Sequence, residues 1–563
     1  MAGKYRWAAT GDVNAFFGLM LDNVAGLILI VSLLHQNFQF PVDFALQHMI
    51  PGTALGVLIG DLAFFVIAFR LAKRSGSQTV TAMPLGLDTP STFGMVFFVL
   101  GPAYQTALDS EMVAASEVGL GTAASAAQIQ AAAMVAWRIG ICSIFVSGLI
   151  KIVCSLGSGW VRRVVPRAGL LGSLAAIALV LISFLPLLEI LRYPLVGLVA
   201  LAVILTALVG RVPLPMKLPG AVGGFLVAGA MYAIMSSLGM LGANSEPLFN
   251  PSDALFPTQW TEALTLGWLS SMGETVKYLP VVVPFALATV VGGIDCTESA
   301  AAAGDEYHTN TVIGVEALAT LLASLCGAVI QTTPYIGHPA YKAMGGRAAY
   351  TLATALTMGI LGMTGLFGYF YEFIPKATVY PILVFVGLEI AAQSFLATPR
   401  RHYPAVALAC VPALATLAVF FVGQLFGDGA LRENGIGLAQ LVNEELKTNL
   451  QTTFALANGF IVTSVLWASA LAMAIDRRLV AAAGFNALAA VCTLFGLMHS
   501  PLPNSPILFP VAFPGLPSEW VLPGALLPTV LAWTEGYAVV AVLMIAWGGY
   551  LKRSGQSTAP TEN

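Results

Sequence analysis

The stretch Gln331-Thr332-Thr333-Pro334-Tyr335-Ile336-Gly337-His338-Pro339-Ala340 gathers hydrogen-bonding and ionisable side chains inside an apolar sequence. Pro334 and Pro339 each remove a backbone donor and disfavour helix in the residue before them. Broken backbone at membrane depth is tolerated only where it packs in protein or lines a polar cavity. Such breaks mark binding sites in transporters, most of all when a second one occurs in the other half of the chain. Thr81-Ala82-Met83-Pro84-Leu85-Gly86-Leu87-Asp88-Thr89-Pro90 has the same form, with Pro84 aligned on Pro334 and Asp88 on His338. Val165-Pro166-Arg167-Ala168 likewise resembles Ile374-Pro375-Lys376-Ala377. Two matches in the same order point to an internal duplication.

Ionisable groups inside a span cost about 2.5–3.5 kcal/mol each at its centre and are functional candidates. Asp295 and Glu298, in Gly292-Gly293-Ile294-Asp295-Cys296-Thr297-Glu298-Ser299, are three apart and share a helix face. Their repulsion suits a group that takes up and releases a proton; the competing reading places them at the cytoplasmic mouth, shortly before Asp305 and Glu306. His338 starts a half-helix, where free N–H groups favour a neutral imidazole that hydrogen-bonds a ligand; otherwise local backbone satisfies it. Its counterpart Asp88 reads equally well as a helix cap. Gln331, Thr332 and Thr333 offer further hydrogen bonds. Duplication sets the first span beside the eighth in role, which adds Asp22 and Asn23 as candidates. Asp61, Glu316 and Glu389 are also intramembrane acids that could instead tie helices together. Arg138, near an outer end, is expected to snorkel.

These groups must be positioned by membrane spans. Charged residues are 9%, hydrophobic residues 58% and the mean hydropathy is +0.84, whereas a soluble domain carries about 25% charge. The chain is therefore expected to be an all-α polytopic membrane protein. At about 20 apolar residues per span, spans fall near 13–35, 47–70, 78–101, 129–156, 166–188, 194–210, 218–240, 279–303, 311–330, 331–345, 347–370, 374–397, 403–426, 452–475, 479–498 and 521–548. The third and tenth hold the breaks, each a short extended piece leading into a half-helix. With the N-terminus inside, Arg70, Lys73, Arg74, Arg162, Arg163, Arg167, Arg211, Lys217, Lys342, Arg347, Arg400, Arg401, Arg477, Arg478, Lys552 and Arg553 fall in inner loops. The long outer segments carry acids such as Asp109, Glu111, Glu117, Glu246, Asp253, Glu444 and Glu445. This predicts a multi-pass protein of the cell inner (plasma) membrane with both termini cytoplasmic. Residues 1–12 show no cleavable-signal pattern, and 551–563 read as a disordered tail. The six cysteines lack metal-ligand spacing, the net charge of -3 names no partner, and no basic stretch points to nucleic acid. No nucleophile–base constellation or metal motif points to an enzyme.

Gln331 to His338, preceded by Glu316-Ala317-Leu318-Ala319-Thr320 and Gly327, resembles the tenth-span region of the xanthine/uracil permease family (nucleobase–cation symporter-2), including its adenine/guanine permease branch. Asp295 with Thr297 is similar to that family's eighth-span acidic motif, and Leu218-Pro219-Gly220-Ala221 to its seventh-span opening. The resemblance implies two inverted seven-span repeats. Residues 13–156 and 279–370 would form a core domain, and 157–278 and 371–476 a gate domain; 477–550 would add two spans beyond the family's fourteen. It further implies substrate between the extended pieces of spans three and ten, often in a dimer. The chain departs from the family where Gly337 and His338 stand in place of a glutamate.

The expectation is a permease for a purine, pyrimidine or related small molecule, working by an elevator motion in the lipid bilayer as a homodimer. No cofactor is expected; the coupling ion is expected to be a proton, with sodium left open. Substrate contacts would come from Asp295, Glu298, His338, Gly337, Tyr335, Thr333, Asp88 and Asn23, with Tyr335 or Phe93 stacking on a flat ring. Proton coupling would fall to Asp295, Glu298 or Asp22. Two alternatives remain: a small-anion carrier or exchanger of the same fold, favoured by facing helix N-termini, and a non-transporting membrane receptor.

Overall fold

The structure is a computed structural model that describes residues 5–117, 125–215, 218, 220–241, 249–335, 337–427, 437, 440–502, 508–512, 514 and 521–554. The side chains of 112–117, 158–163, 221, 280, 284, 288, 295, 298, 299 and 302 also lie outside the description. Arg162, Arg163, Lys217, Glu117 and Glu246, used above for topology, therefore fall outside it in whole or in side chain.

The chain folds as an all-α polytopic membrane protein with one short extended piece in each half of the sequence. The first half runs through α1 (Gly11–Phe38), α2 (Val42–Ser75), β1 (Leu85–Leu87) and α3 (Thr89–Met95). A π turn at Val96–Leu100 carries α3 into α4 (Gly101–Glu117). Then come α5 (Ala126–Val164), α6 (Arg167–Ile190), α7 (Pro194–Val209) and α8 (Gly220–Ser237). The second half runs through α9 (Leu279–Ala302), α10 (Thr309–Leu325), β2 (Thr332–Pro334), α11 (His338–Ala343), α12 (Ala349–Met363), α13 (Phe367–Phe373), α14 (Lys376–Leu396), α15 (Tyr403–Gly427), α16 (Glu444–Ala457) and α17 (Phe460–Ile475). Two more helices follow, α18 (Leu479–Leu494) and α19 (Leu527–Arg553).

Among the described residues, seven helices are long and apolar enough to cross a membrane, or up to ten if each bent pair is one span. The sixteen expected spans thus include several short or broken ones. The region 347–370 is α12 and α13, bent by 85°. Gly365, with φ +73°, makes the turn, and a Cβ there would fall 1.8 Å from the Ala254 carbonyl oxygen. The region 452–475 is the end of α16 and α17, bent by 78° at Gly459. Asn443 caps α16 by accepting from the Leu446 N–H at 3.0 Å, so helix reaches back into a segment expected to be loop. Hydropathy registers apolar length but not the direction of the chain, so it does not separate a bent pair from one straight span.

The helices form two compact units. One comprises 1–158 and 182–387. Its interior packs Leu19 of α1, Phe64 of α2, Leu85 of β1, Tyr341 of α11 and Tyr350 of α12 into one apolar cluster. α2 and α12 approach closely because Gly362 faces Ala54, where an added Cβ would lie 2.2 Å from the alanine methyl. The other unit comprises 159–181 and 388–563. There Ser464 donates to the Ala409 carbonyl at 2.6 Å, and Asp476 accepts from Arg401 and His402, both at 2.8 Å.

Candidate functional site

The two broken segments meet. β1 and β2 pair antiparallel, with Leu85 opposite Pro334, Gly86 opposite Thr333 and Leu87 opposite Thr332. The Asp88 N–H donates to the Gln331 carbonyl at 3.0 Å and the Tyr335 N–H to the Pro84 carbonyl at 2.8 Å, which extends the pairing at both ends. Two strands of three residues cannot satisfy their outer edges, and at membrane depth no water does so. Side chains from the surrounding helices take that role. The Leu85 N–H donates to Asp61 Oδ1 of α2 and the Leu87 N–H to Asn23 Oδ1 of α1, both at 3.0 Å. On the other strand, Lys151 Nζ of α5 donates to the Thr332 carbonyl at 3.0 Å and Cys296 Sγ of α9 to the Pro334 carbonyl at 3.3 Å. Pro334 has no N–H to satisfy, which suits a strand edge.

A buried polar network adjoins the crossing. Lys151 pairs with Glu316 Oε1 of α10 at 2.8 Å, both side chains fully buried. One helical turn earlier on α5, Ser147 donates to Gln331 Oε1 at 2.6 Å, and Gln331 Nε2 donates to Asp88 Oδ2 at 3.1 Å. Asp88 caps α3, its Oδ2 accepting from the Ser91 N–H at 3.1 Å. Thr320 and Thr332 hydroxyls lie 3.2 Å apart on the far side of β2. The arrangement holds one cation and two carboxylates in a space closed to water.

The candidates divide between this crossing and a second cluster. Asp88, Asn23, Gln331, Thr332 and Thr333 are at the crossing, and Asp22 is beside it: a Cβ on Gly86 would lie 3.8 Å from Asp22 Oδ2. Tyr335 is half-buried and stacks on Tyr341 at 6.0 Å. Gly337 caps α11, and a Cβ there would lie 2.5 Å from the Tyr335 ring. Phe93 is buried and stacked on Phe97 at 6.2 Å. His338 points elsewhere, with Nε2 3.2 Å from the Thr81 carbonyl and 3.3 Å from Asp305 Oδ2. Asp305 also accepts from the Thr81 N–H at 3.1 Å and pairs with Lys342 at 2.6 Å, while Tyr307 donates to the Thr81 carbonyl at 2.6 Å. Burial by itself would raise the Asp305 carboxyl, but hydrogen bonds from His338, Lys342 and the Thr81 N–H, with the Lys342 charge, hold it below its ordinary value. Asp295 and Glu298 lie on α9; their side chains are outside the description. Arg138 forms an ion pair with Glu262 at 2.8 Å.

Lys151 was not singled out from the sequence. Its signal was there, a lysine inside the expected 129–156 span, one turn after Ser147. Glu316 was singled out, but its partner was not legible.

No family model matches the chain, and no curated protein does. Solved structures with a similar fold include the transmembrane domain of a cyanobacterium bicarbonate transporter, BicA, at 13% identity and TM-score 0.42, covering 73% of this chain and 96% of that one. The structure of SLC26A9 is similar at 11% identity and TM-score 0.45, covering 74% and 65%. Murine solute carrier 26 family member A9, an anion transporter in the inward-facing state, is similar at 13% identity and TM-score 0.40, covering 75% and 69%. At these values the likeness concerns fold and carries nothing about substrate.

The resemblance to the xanthine/uracil permease family stands corrected. The three solved structures named above are of a bicarbonate transporter and of solute carrier 26 member A9, a different family. A nucleobase substrate has no support with it. The physical reason lies in what the quoted residues do. Prolines end the helices, threonines and Gln331 satisfy freed backbone or its neighbours, and Gly337 restarts a helix. Those are the needs of any broken span, so the motif reports the device and not the solute.

Proposed function

We propose that the protein is a secondary transporter of a small anion, working by alternating access. The observation that carries this reading is the register-matched antiparallel pair β1/β2, a break in each repeat held at membrane depth by side chains from α1, α2, α5 and α9. A stable fold does not need two interrupted spans; a polar path through the bilayer does. An anion is favoured over other solutes by Lys151, a fully buried cation 3.0 Å from the β2 backbone. An entering anion would compete with Glu316 for it, beside the first turn of α3. Asp88, Asn23, Thr333, Tyr335 and Gly337 would line the path, with Asp22 beside it. Asp295, Glu298 and His338 rest on sequence grounds. Core (13–156, 279–370) moving against gate (157–278, 371–476) as an elevator, in a homodimer, completes the proposal.

Counterflow into liposomes tests it. Purified protein is loaded with unlabelled bicarbonate, sulfate, chloride or a small carboxylate and offered the labelled form. Saturable uptake of at least one anion, lost in Lys151→Met but kept in Arg138→Gln, is the expected result. Absence of counterflow for every anion would leave the receptor reading standing.

A further inference from the structure

Among the intramembrane acids at the crossing, two have their charge answered. Glu316 has Lys151 at 2.8 Å. Asp88 has the Ser91 N–H, Gln331 and the Lys151 charge. Asp61 has neither. It is fully buried on α2; among the described residues its Oδ1 accepts only the Leu85 N–H and its Oδ2 meets no partner. No described cation pairs with it. The titratable groups facing it are tyrosines, Tyr341 of α11 and Tyr350 of α12. The Asp22 charge of α1 also acts on Tyr341, and Asp22 Oδ1 likewise has no partner among the described residues, but Asp22 accepts no N–H of the two strands in any described bond. Glu316, on the neighbouring α10, is held by Lys151. The Tyr350 hydroxyl is committed to the Ala82 carbonyl at 2.6 Å, so it gives Asp61 no hydrogen bond.

A carboxylate buried in this way without a counter-ion is so costly that it takes up a proton instead. A metal cation in its place would need several oxygen ligands at bonding distance, and no described polar atom lies within hydrogen-bond reach of Oδ2. With Oδ1 occupied as an acceptor, the proton sits on Oδ2. The Leu85 N–H is therefore bonded to a neutral carboxyl in this conformation. Loss of the proton makes the same bond charge-assisted and stronger.

We propose that Asp61 is a proton-carrying site of this protein and that its protonation is read directly by the crossing, through the Oδ1 to Leu85 N–H bond. The step is a simple exchange: in a conformation that hydrates α2, the Oδ2–H bond breaks to water and re-forms on return. This rests on the transporter reading and adds to it the residue through which an imposed proton gradient acts.

Asp61→Asn tests it, since the asparagine amide keeps an oxygen for the Leu85 N–H and removes the titration. Infrared difference spectra of the lipid-reconstituted protein at neutral pH are expected to show a protonated-carboxyl C=O band that is weaker in Asp61→Asn than in the wild type by one component, any remainder belonging to other buried carboxyls such as Asp22. An unchanged band overturns the proposal. In Asp61→Asn, the ratio of counterflow with an inward proton gradient to counterflow without one is expected to fall to one, whatever the variant's rate without a gradient. Acceleration equal to wild type in the variant, or no acceleration in a wild type that transports, also overturns it. A wild type that transports no anion overturns the proposed function instead, and the infrared band still decides the state of Asp61. Should Asp61→Asn not fold, wild-type protein is treated with dicyclohexylcarbodiimide, an apolar reagent that adds to protonated buried carboxyls. Mass mapping that finds Asp61 modified supports the proposal, and an unmodified Asp61 overturns it.

Discussion

Removing the Lys151 ammonium is the most informative single change. Its Nζ lies 2.8 Å from Glu316 Oε1 and 3.0 Å from the Thr332 carbonyl. At an effective dielectric of about 20, two unit charges at that separation attract by about 6 kcal/mol. The hydrogen bond from a charged donor to Thr332 adds about 1.5–3 kcal/mol. Against these stands the desolvation of both ions, so the pair is not worth their sum; taking away one partner of a buried pair costs about 3–5 kcal/mol because the other charge is left alone. Lys151→Met is expected to lose that much, and Glu316→Gln a similar amount. The double variant Lys151→Met/Glu316→Gln leaves no lone charge. It should be less destabilised than the two single losses added, by about 1–3 kcal/mol of coupling. Thermal and denaturant unfolding in one detergent, followed by tryptophan fluorescence, closes the cycle. Single losses below about 0.5 kcal/mol, the range of an uninvolved surface change, or strict additivity, would refute the pairing. They would also remove the reason for placing an anion at Lys151.

Three further outcomes are expected. Asp305 is held below its ordinary value when folded, so its bonds stabilise the protein above the unfolded value of about 3.9 and are lost as pH falls through the lower folded one. Asp305→Asn should therefore lower the melting temperature at neutral pH and flatten its decline on the acid side, read by scanning from pH 7 to pH 3. Asn23→Ala leaves the buried Leu87 N–H without its acceptor and should cost about 1–3 kcal/mol of stability, with no loss if water or another group replaces it. Gly94→Ala would set a Cβ 2.1 Å from the Phe285 ring and should cost about 1–3 kcal/mol by overpacking, which Phe285→Leu in the same chain should relieve.

The class of the protein was open to reading from residue chemistry. A sequence with 9% charge and long apolar runs has no fold in water, and prolines inside such runs break helices wherever they fall. Pro84, Pro90, Pro334 and Pro339 therefore mark both breaks and both half-helix starts in the sequence itself. What remained hidden was direction and partnership. Gly365 and Gly459 sit in runs that are apolar on either side, and only the packing against Ala254 and Leu497 shows that the chain turns there. His338 and Asp88 occupy equivalent places in the repeats, yet one side chain reaches Thr81 and Asp305 while the other caps α3 and binds Gln331. Lys151 and Glu316 are 165 positions apart, and Asp61 is 24 from the N–H it accepts. Sequence fixes which groups are costly to bury, because that cost belongs to the residue. Which of them meet, and which is left alone, follows from the paths of separate helices, and only the tertiary structure decides it.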